Sequence, residues 1–598
     1  MTTTCYYSLT LSQPRRWLYA VLSLLFVLIL YSTFFGFLSG PKNGSNRGTP
    51  YTPPPRVDDG RFHWEDLPIR HPVTSMVSLP TGQPLKLPRI QHPFSNRETP
   101  KLEAAKMEER RGMVKEVFER CWNSYKTRAW MHDELAPLSG DKKDPFGGWA
   151  ATLVDSLDTL WIMGMKDDFE KATVAVLGIN FSHSLLERIN VFETTIRYLG
   201  GFLSAYDLSG DKRLLDKAVE VGEMLYVAFD TPNRMPITQW DHEKAKTEPQ
   251  EGSEGVNVAE IGSLCLEFTR LSQLTQNMKW FDAVQRITDV FARDQNKTKL
   301  PGMWPLAVNA RMADFSQGDF FTLGGMADSV YEYLPKMYAL LGGLLPQYKD
   351  LYERSMDTAM KHNLYRPMTP ENTNILLSGA VRVQTEPILE PEGQHLACFT
   401  GGMLALGGAL LNNATHLDYA DRLTRGCIYA YRAFPLGIMP EVFHTVPCPQ
   451  EGPCQWTTAT WHAAILERTG GKHDKSVEAI IAEERLPPGF TAVSDRRYWL
   501  RPEAIESVFI LYRVTGSVDL LDLAFDMWSA ISNYTKTDIA NAGLWDMTVP
   551  DPPKADTMES YWMAETLKYF YLIFSDPSVL SLDEYVFNTE AHPFKRPR

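Results

Sequence analysis

The sequence predicts an all-α chain of stacked αα-hairpins in two concentric layers, and three observations carry that prediction. From about Lys101 onward apolar residues recur at helical spacing, as in "KMEERRGMVKEVFERCWNSY", where Met113, Val117, Cys121 and Trp122 share one side. The helices then repeat one plan. "ETTIRYLGGFLSAYDLSGDKRLLDKAVEVGEML", "EIGSLCLEFTRLSQLTQNMKWFDAVQRITDVF" and "EAIESVFILYRVTGSVDLLDLAFDMWSAI" each give an apolar first helix, a short polar turn and an amphipathic second helix with a central Ala. Finally, first helices that are apolar nearly all round must be buried, whereas the second helices keep a charged face. Layers that close on themselves satisfy both; an open solenoid is the alternative. Further pairs start at "DSVYEYLPKMYALLGG" and "GMLALGGALL", so that roughly six or seven would fill Lys101 to Ser575.

The segments before this body read differently. "WLYAVLSLLFVLILYSTFFGFL", Trp17 to Leu38, has no charged residue and would reach roughly 33 Å as a helix, enough to cross a bilayer. Its end in Phe34, Phe35, Phe37 and Leu38 lacks the small residues of a cleavage site, so an uncleaved signal anchor is expected. Arg15 and Arg16 keep residues 1–16 cytosolic, although Lys42 and Arg47 weaken the asymmetry. The expectation is a single-pass type II protein of the endoplasmic reticulum or Golgi, with residues 39–100 a Pro-rich lumenal stem and residues 101–598 the catalytic body. Span length does not separate the two compartments.

Sequons at Asn43, Asn180, Asn296, Asn413 and Asn533 all lie beyond the span. Cys448 and Cys454 bracket "CPQEGPC", whose Pro and Gly can fold the chain back, and Cys398 and Cys427 are candidates for a second bridge; ordinary buried thiols are the alternative. A formal charge of -13, with no basic cluster beyond the terminal "KRPR", argues against a nucleic-acid partner.

The chemistry-bearing pattern is a carboxylate at or near the start of each first helix: Glu193, Glu260, Asp328, Glu503 with Glu506, and Glu565. One such acid is explained by the positive end of the helix dipole. Acids in register on parallel inner helices would instead ring one cavity, whose mutual repulsion calls for a cation or a polyhydroxyl ligand. Tyr198, Trp304, Tyr498, Trp499, Tyr561 and Trp562 lie among them and suit a pyranose face, but do not carry the reading alone, since aromatics at helical spacing are more often plain core. Near the end, "YVFNTEAHPF" concentrates Asn588, Thr589, Glu590 and His592 behind an apolar anchor.

"GGWAATLVDSLDTLWIMGM", "FETTIRYLGGFLSAY", "DSVYEYL", "LRPEAIESVFILYRVTG" and "VFNTEAHPF" resemble, in order, the signature segments of class I α-1,2-mannosidases, glycoside hydrolase family 47. The resemblance implies an (αα)7 barrel closed by a C-terminal hairpin plug. It implies a calcium-dependent, inverting hydrolase of terminal α-1,2-mannose on high-mannose N-glycans, and a monomer is expected. Glu193 would be the general acid, Glu503 the general base and Asp328 a third essential carboxylate. Arg197, Glu260, Glu506, Tyr561, Glu565 and Glu590 would contact substrate, and Thr589 would hold calcium through its hydroxyl and carbonyl oxygens. Cys398 and Cys427 match the family's disulfide, and His592 is read as a hydrogen-bonded structural residue. Two positions depart from the family. Met326 stands where members of the endoplasmic-reticulum type carry Arg, which would widen glycan acceptance, and Tyr561 stands where many have Phe. A lectin-like mannose-binding quality-control factor of the same superfamily is the alternative function.

Overall fold

A computed structural model describes residues 51–53, 60–94, 101–449, 453–470 and 475–597. The chain divides into a unit ending at Thr52 and a second running from Pro53 to Arg598. The expected span and the sequon Asn43 lie outside the described residues. Among the described residues, no helix is long and apolar enough to cross a membrane.

The second unit is built from helix pairs, as the repeats predict. The first members are Ala151–Asp155 with Leu157–Ile162, Val191–Thr194 running through a π-turn into Gly200–Ser209, and Val258–Gly262 with Cys265–Thr275. They continue with Asp328–Leu340, Phe399–Leu411, Glu503–Thr515, and Leu567–Ile573 entered through the π-turn Trp562–Thr566. Each packs on the next in this order, and the last touches the first. The second members are Lys166–Val176, Lys212–Val227, Lys279–Asp294, Pro346–His362, Ala414–Ala433, Asp519–Thr535 and, for the last pair, Lys101–Arg128. Burial follows the sequence argument in part: Phe399 to Leu410 is buried without a break, whereas Lys279–Asp294 buries Trp280, Phe281, Ile287 and Phe291 and exposes Asp289 and Arg293.

The turns from inner to outer helix are short because a left-handed residue ends the inner one. Gly210 (φ 75°), Gln276 (φ 60°), Asn412 (φ 53°) and Gly516 (φ 73°) all play this part. The returns from outer to inner helix are long and carry small antiparallel strands, among them Glu392–Gln394, Val442–Thr445 and Phe490–Asp495 in one sheet. One end of the helix stack is therefore tight, and the acids sit at the other, under the long loops.

The C-terminal hairpin pairs Tyr585–Phe587 with Pro593–Lys595. Its strands lie at the tight end, where the Lys595 backbone N–H donates to Asp207 at 2.9 Å. Its loop reaches inward and touches Ile196, Glu267, Lys336, Lys568 and Asp158, on five different inner segments. Phe587 packs on Phe509 of a sixth. Gly200 makes this approach possible: a Cβ there would stand 2.7 Å from Asn588 Nδ2 and 3.0 Å from His592 Cδ2.

Residues 60–94, expected as a spacer, are bonded to the body along their length. Trp64 is buried and donates to the Phe181 carbonyl at 2.9 Å, Arg70 and His71 backbone N–H groups donate to Asp230 at 2.8 Å, and Val77 donates to Asp282 at 2.7 Å. Farther on, the His92 N–H donates to the Arg513 carbonyl at 2.7 Å. Both Cys398–Cys427 and Cys448–Cys454 are disulfide-bonded, while Cys121 and Cys265 are free and buried. Asn180, Asn296 and Asn533 are exposed; Asn413 is half-buried and caps the helix Ala414–Ala433 through its side-chain oxygen.

Candidate active site

The expected carboxylates do come together, each placed by the start of an inner helix. Asp328 and Glu503 are the first residues of their helices, and the Asn190 side chain caps the turn carrying Glu193 by accepting from the Glu193 N–H at 3.0 Å. Arg197 and Glu565 both lie on π-turns, which widen the helix locally and turn these side chains inward. Non-glycine residues in the left-handed region border the site: Ala150 (φ 57°), Met326 (φ 70°), Leu500 (φ 63°) and Ala591 (φ 58°). Such a conformation costs about 1–2 kcal/mol, so four of them beside one constellation mark a place where geometry outranks local stability.

Arg197 ties one side together. Its Nε donates to Glu193 at 2.9 Å, its Nη1 donates to the Ser560 hydroxyl at 2.9 Å and approaches Asp155 at 3.5 Å, and it pairs with Glu590. Burial disfavours the guanidinium's charge, but the surrounding Glu590, Glu193 and Asp155 hold it firmly protonated. Glu503 accepts from His395 Nδ1 at 3.0 Å, and His395 Nε2 lies within hydrogen-bond distance of the Tyr431 hydroxyl at 2.7 Å. Lys336 pairs with Glu332 and stands 3.6 Å from Glu506. Glu260 accepts from the Asn190 amide at 2.9 Å.

The acids are not equivalent. Burial pushes Glu503 up, but the His395 hydrogen bond and the Arg501 and His395 charges prevail and hold it below the usual carboxylate range. Asp328 is pushed up to about 7, by burial first and then by the charges of Glu332 and Glu503, against the Ser329 N–H. Glu506 and Glu590 are each raised to about 8, chiefly by burial; for both, neighbouring carboxylates add to it and a buried cation, Lys336 or Arg197, opposes it. The cluster thus sets Glu503, held ionised, apart from Asp328, which keeps its proton up to about 7.

In the C-terminal loop Asn588, Glu590, Ala591 and His592 are buried, and Thr589 alone is not. The Thr589 N–H donates to the Tyr333 hydroxyl at 3.2 Å, and among the described residues neither its hydroxyl nor its carbonyl oxygen carries a hydrogen bond. No group of three or more His, Cys, Asp or Glu placed to hold a metal ion is found among the described residues. His592 is structural, its Nδ1 2.8 Å from Asp158, which also binds Lys568 at 2.8 Å.

Of the aromatics among the acids, most are ordinary core rather than sugar platforms. Tyr198, Trp304, Tyr498 and Trp562 have no exposed surface and belong to the core; Tyr561 is 9% exposed, its hydroxyl donating to the Trp499 carbonyl at 2.8 Å, and Trp499 is half-buried. Sequence reasoning also missed Asp155, Asp158, Glu332, Lys336, Glu267 and Lys568. Their signal was present as charged residues inside the most apolar helices, since an ion there requires a buried partner.

The profile of Glycosyl hydrolase family 47 matches residues 117–596. The endoplasmic reticulum mannosyl-oligosaccharide 1,2-alpha-mannosidase of Homo sapiens is 35% identical over 488 residues, covering 80% of this chain and 63% of its own length. The mannosyl-oligosaccharide 1,2-alpha-mannosidase MNS1 of Arabidopsis thaliana is 32% identical, covering 81% and 79%. The solved alpha-1,2-mannosidase from Trichoderma reesei superposes with a TM-score of 0.72 at 32% identity, covering 82% of this chain and 99% of that one. With its helix pairs, inward acids and threonine-tipped hairpin, the chain belongs to glycosyl hydrolase family 47.

Proposed function

We propose that this protein is an inverting hydrolase of terminal α-1,2-linked mannose on high-mannose N-glycans, its seven helix pairs closing into an (αα)7 barrel. The observation that carries the reading is the division of labour among facing carboxylates: Glu503 ionised, Asp328 raised to about 7. A glycosidase that inverts needs an anion to deprotonate water on one face and a proton source on the other. Glu503, held by His395, is the base. Glu193, oriented by Arg197, is the general acid, and Asp328, beside Glu503 and Glu332, is a third carboxyl that keeps its proton near neutrality, a proton reaching the departing oxygen directly or through water. Glu260, Glu506, Glu565 and Glu590 offer acceptors to the sugar hydroxyls, and Tyr561 lies among them.

The residues present fit a calcium ion. Two unpaired oxygens on Thr589 would hold it, facing an excess of carboxylates whose repulsion a hard cation relieves. When bound, the ion would supply positive charge to orient and polarise sugar hydroxyls. The sequence supports anchorage by Trp17 to Leu38 with the catalytic unit in the lumen of the endoplasmic reticulum or Golgi, acting as a monomer.

The test uses the full chain in detergent with a nine-mannose N-glycan, and the Glu503→Gln variant beside it. Release of mannose with inverted anomeric configuration, lost in Glu503→Gln while the glycan still binds, is expected. Binding without release by the unsubstituted protein would replace this reading with that of a mannose-binding quality-control factor.

A further inference from the structure

Trp545 is the largest side chain that the described surface leaves open, at 52% exposed, and it does not stand alone. Its ring meets that of Trp499 edge to face, centroids 5.3 Å apart at 77°, so the pair forms a corner. The corner is rigid. Leu544 and Tyr498 exchange backbone hydrogen bonds at 2.8 and 2.9 Å, and the Trp545 N–H donates to the Pro553 carbonyl at 2.8 Å. Gly543 lies so close beneath Trp499 that a Cβ would stand 2.5 Å from its ring. The Arg497 guanidinium covers Trp499 5.3 Å from the ring centroid and is itself paired with Asp495.

The corner is also joined to the acid cluster. The Trp499 N–H donates to Glu441 at 3.0 Å; Glu441 pairs with Arg501, whose charge bears on Glu503. The Trp499 carbonyl accepts from Tyr561. Trp499 precedes Glu503 by only four residues. An exposed indole packed on a residue that is bonded to the surroundings of the acid cluster, and flanked by the paired ions Arg497–Asp495 and Arg485–Asp546, has the composition that receives a pyranose: an apolar face for ring C–H groups and planar polar groups for hydroxyls at its edge. A lone exposed tryptophan would need no such support.

We infer that Trp545 and Trp499 form an outer subsite that stacks on a hexose of the glycan away from the bond being cleaved. This rests on the proposed mannosidase activity and goes beyond it, since it assigns specificity for an extended branched substrate to two residues outside the acid cluster. The occupant is a neutral pyranose of the same oligosaccharide.

The test compares Trp545→Ala and Trp545→Phe with the unsubstituted full chain on two substrates: the nine-mannose N-glycan, and α-1,2-mannobiose, which occupies only the positions flanking the cleaved bond. For Trp545→Ala, KM for the large glycan is expected to rise about fivefold to tenfold with kcat little changed. Phe should recover most of that loss, and kcat/KM on mannobiose should stay the same in all three proteins. Glu503→Gln carrying Trp545→Ala should bind the large glycan more weakly than Glu503→Gln alone by a similar factor. Equal losses on both substrates, or no loss on either, would overturn the subsite while leaving the mannosidase reading intact. Absence of mannose release by the unsubstituted chain from both substrates would overturn both.

Discussion

His395 grips Glu503 from below: Nδ1 donates to the carboxylate at 3.0 Å, and the far nitrogen is fixed by Tyr431 at 2.7 Å. The ring is fully buried, and because an ionised carboxylate can only accept, Nδ1 carries the hydrogen of this contact. This one contact offsets much of the burial that would otherwise leave Glu503 protonated. Replacing His395 by Phe should therefore raise the Glu503 pKa and move the acidic limb of kcat/KM upward by about one to two pH units, with most activity kept above it. A limb that stays in place would mean that Arg501 alone sets the ionisation.

Asp328 defines the opposite limb. With a folded pKa of about 7, it holds its proton below that value and loses it above, so kcat/KM of the unsubstituted protein should fall as pH rises through about 7. Asp328→Asn imitates the protonated form and removes the titration. The basic limb should disappear, leaving a lower plateau from pH 6 to 8, and a pH-rate profile that still bends near 7 would count against Asp328 as its source.

Beneath the acid cluster Lys568 and His592 both hold Asp158, and all three side chains are without exposed surface. Burial raises Asp158, yet Lys568 and His592 bring it to about 2, so its contribution to stability is present above the unfolded value of 3.8 and is lost as pH falls through about 2. Burial lowers His592, but Asp155 and Asp158 outweigh it and raise it above 6.5. Its contribution is therefore complete below 6.5 and is lost as pH climbs through the higher folded value. Maximal stability should fall between about pH 4 and 6.5. Lys568→Met leaves Asp158 with one partner in a dry interior and should cost about 3–5 kcal/mol. Thermal midpoints across pH for both proteins check this; an unchanged midpoint in Lys568→Met at pH 6 would show the cluster to be dispensable.

The sequence made the periodicity legible because every repeat had to bury one helix and expose its partner, and that constraint writes itself into apolar spacing. The clustered acids were legible for a related reason: the first turn of an inner helix faces the long-loop end, so their register pointed to their convergence. His395, Arg501 and Lys336 were not, because a residue that tunes an acid is set by three-dimensional proximity. His395 precedes Glu503 by 108 residues. The packing of residues 60–94 was hidden for another reason. Much of that segment docks through its backbone N–H groups onto Asp230, Asp282 and Asp583, and backbone donors leave no trace in composition.

The loop tip offers the last prediction. Thr589 turns outward from a loop whose four other members are buried, and its hydroxyl and carbonyl oxygens have no protein partner among the described residues. If they hold calcium, the ion binds the folded state alone and must stabilise it, by about 2.7 kcal/mol at a concentration a hundredfold above Kd. Chelation by EDTA should lower the thermal midpoint by a few degrees and abolish mannose release, with calcium restoring both. Thr589→Val keeps the shape, removes one of the two oxygens and leaves the backbone carbonyl. It should weaken calcium binding, measured by titration calorimetry, by roughly tenfold or more. The midpoint of the metal-free protein should stay unchanged, because the lost hydroxyl bonds to nothing within the chain. A metal-free midpoint that drops with the substitution would instead make Thr589 part of the hairpin's own packing, and calcium affinity equal to that of the unsubstituted protein would place the ion elsewhere.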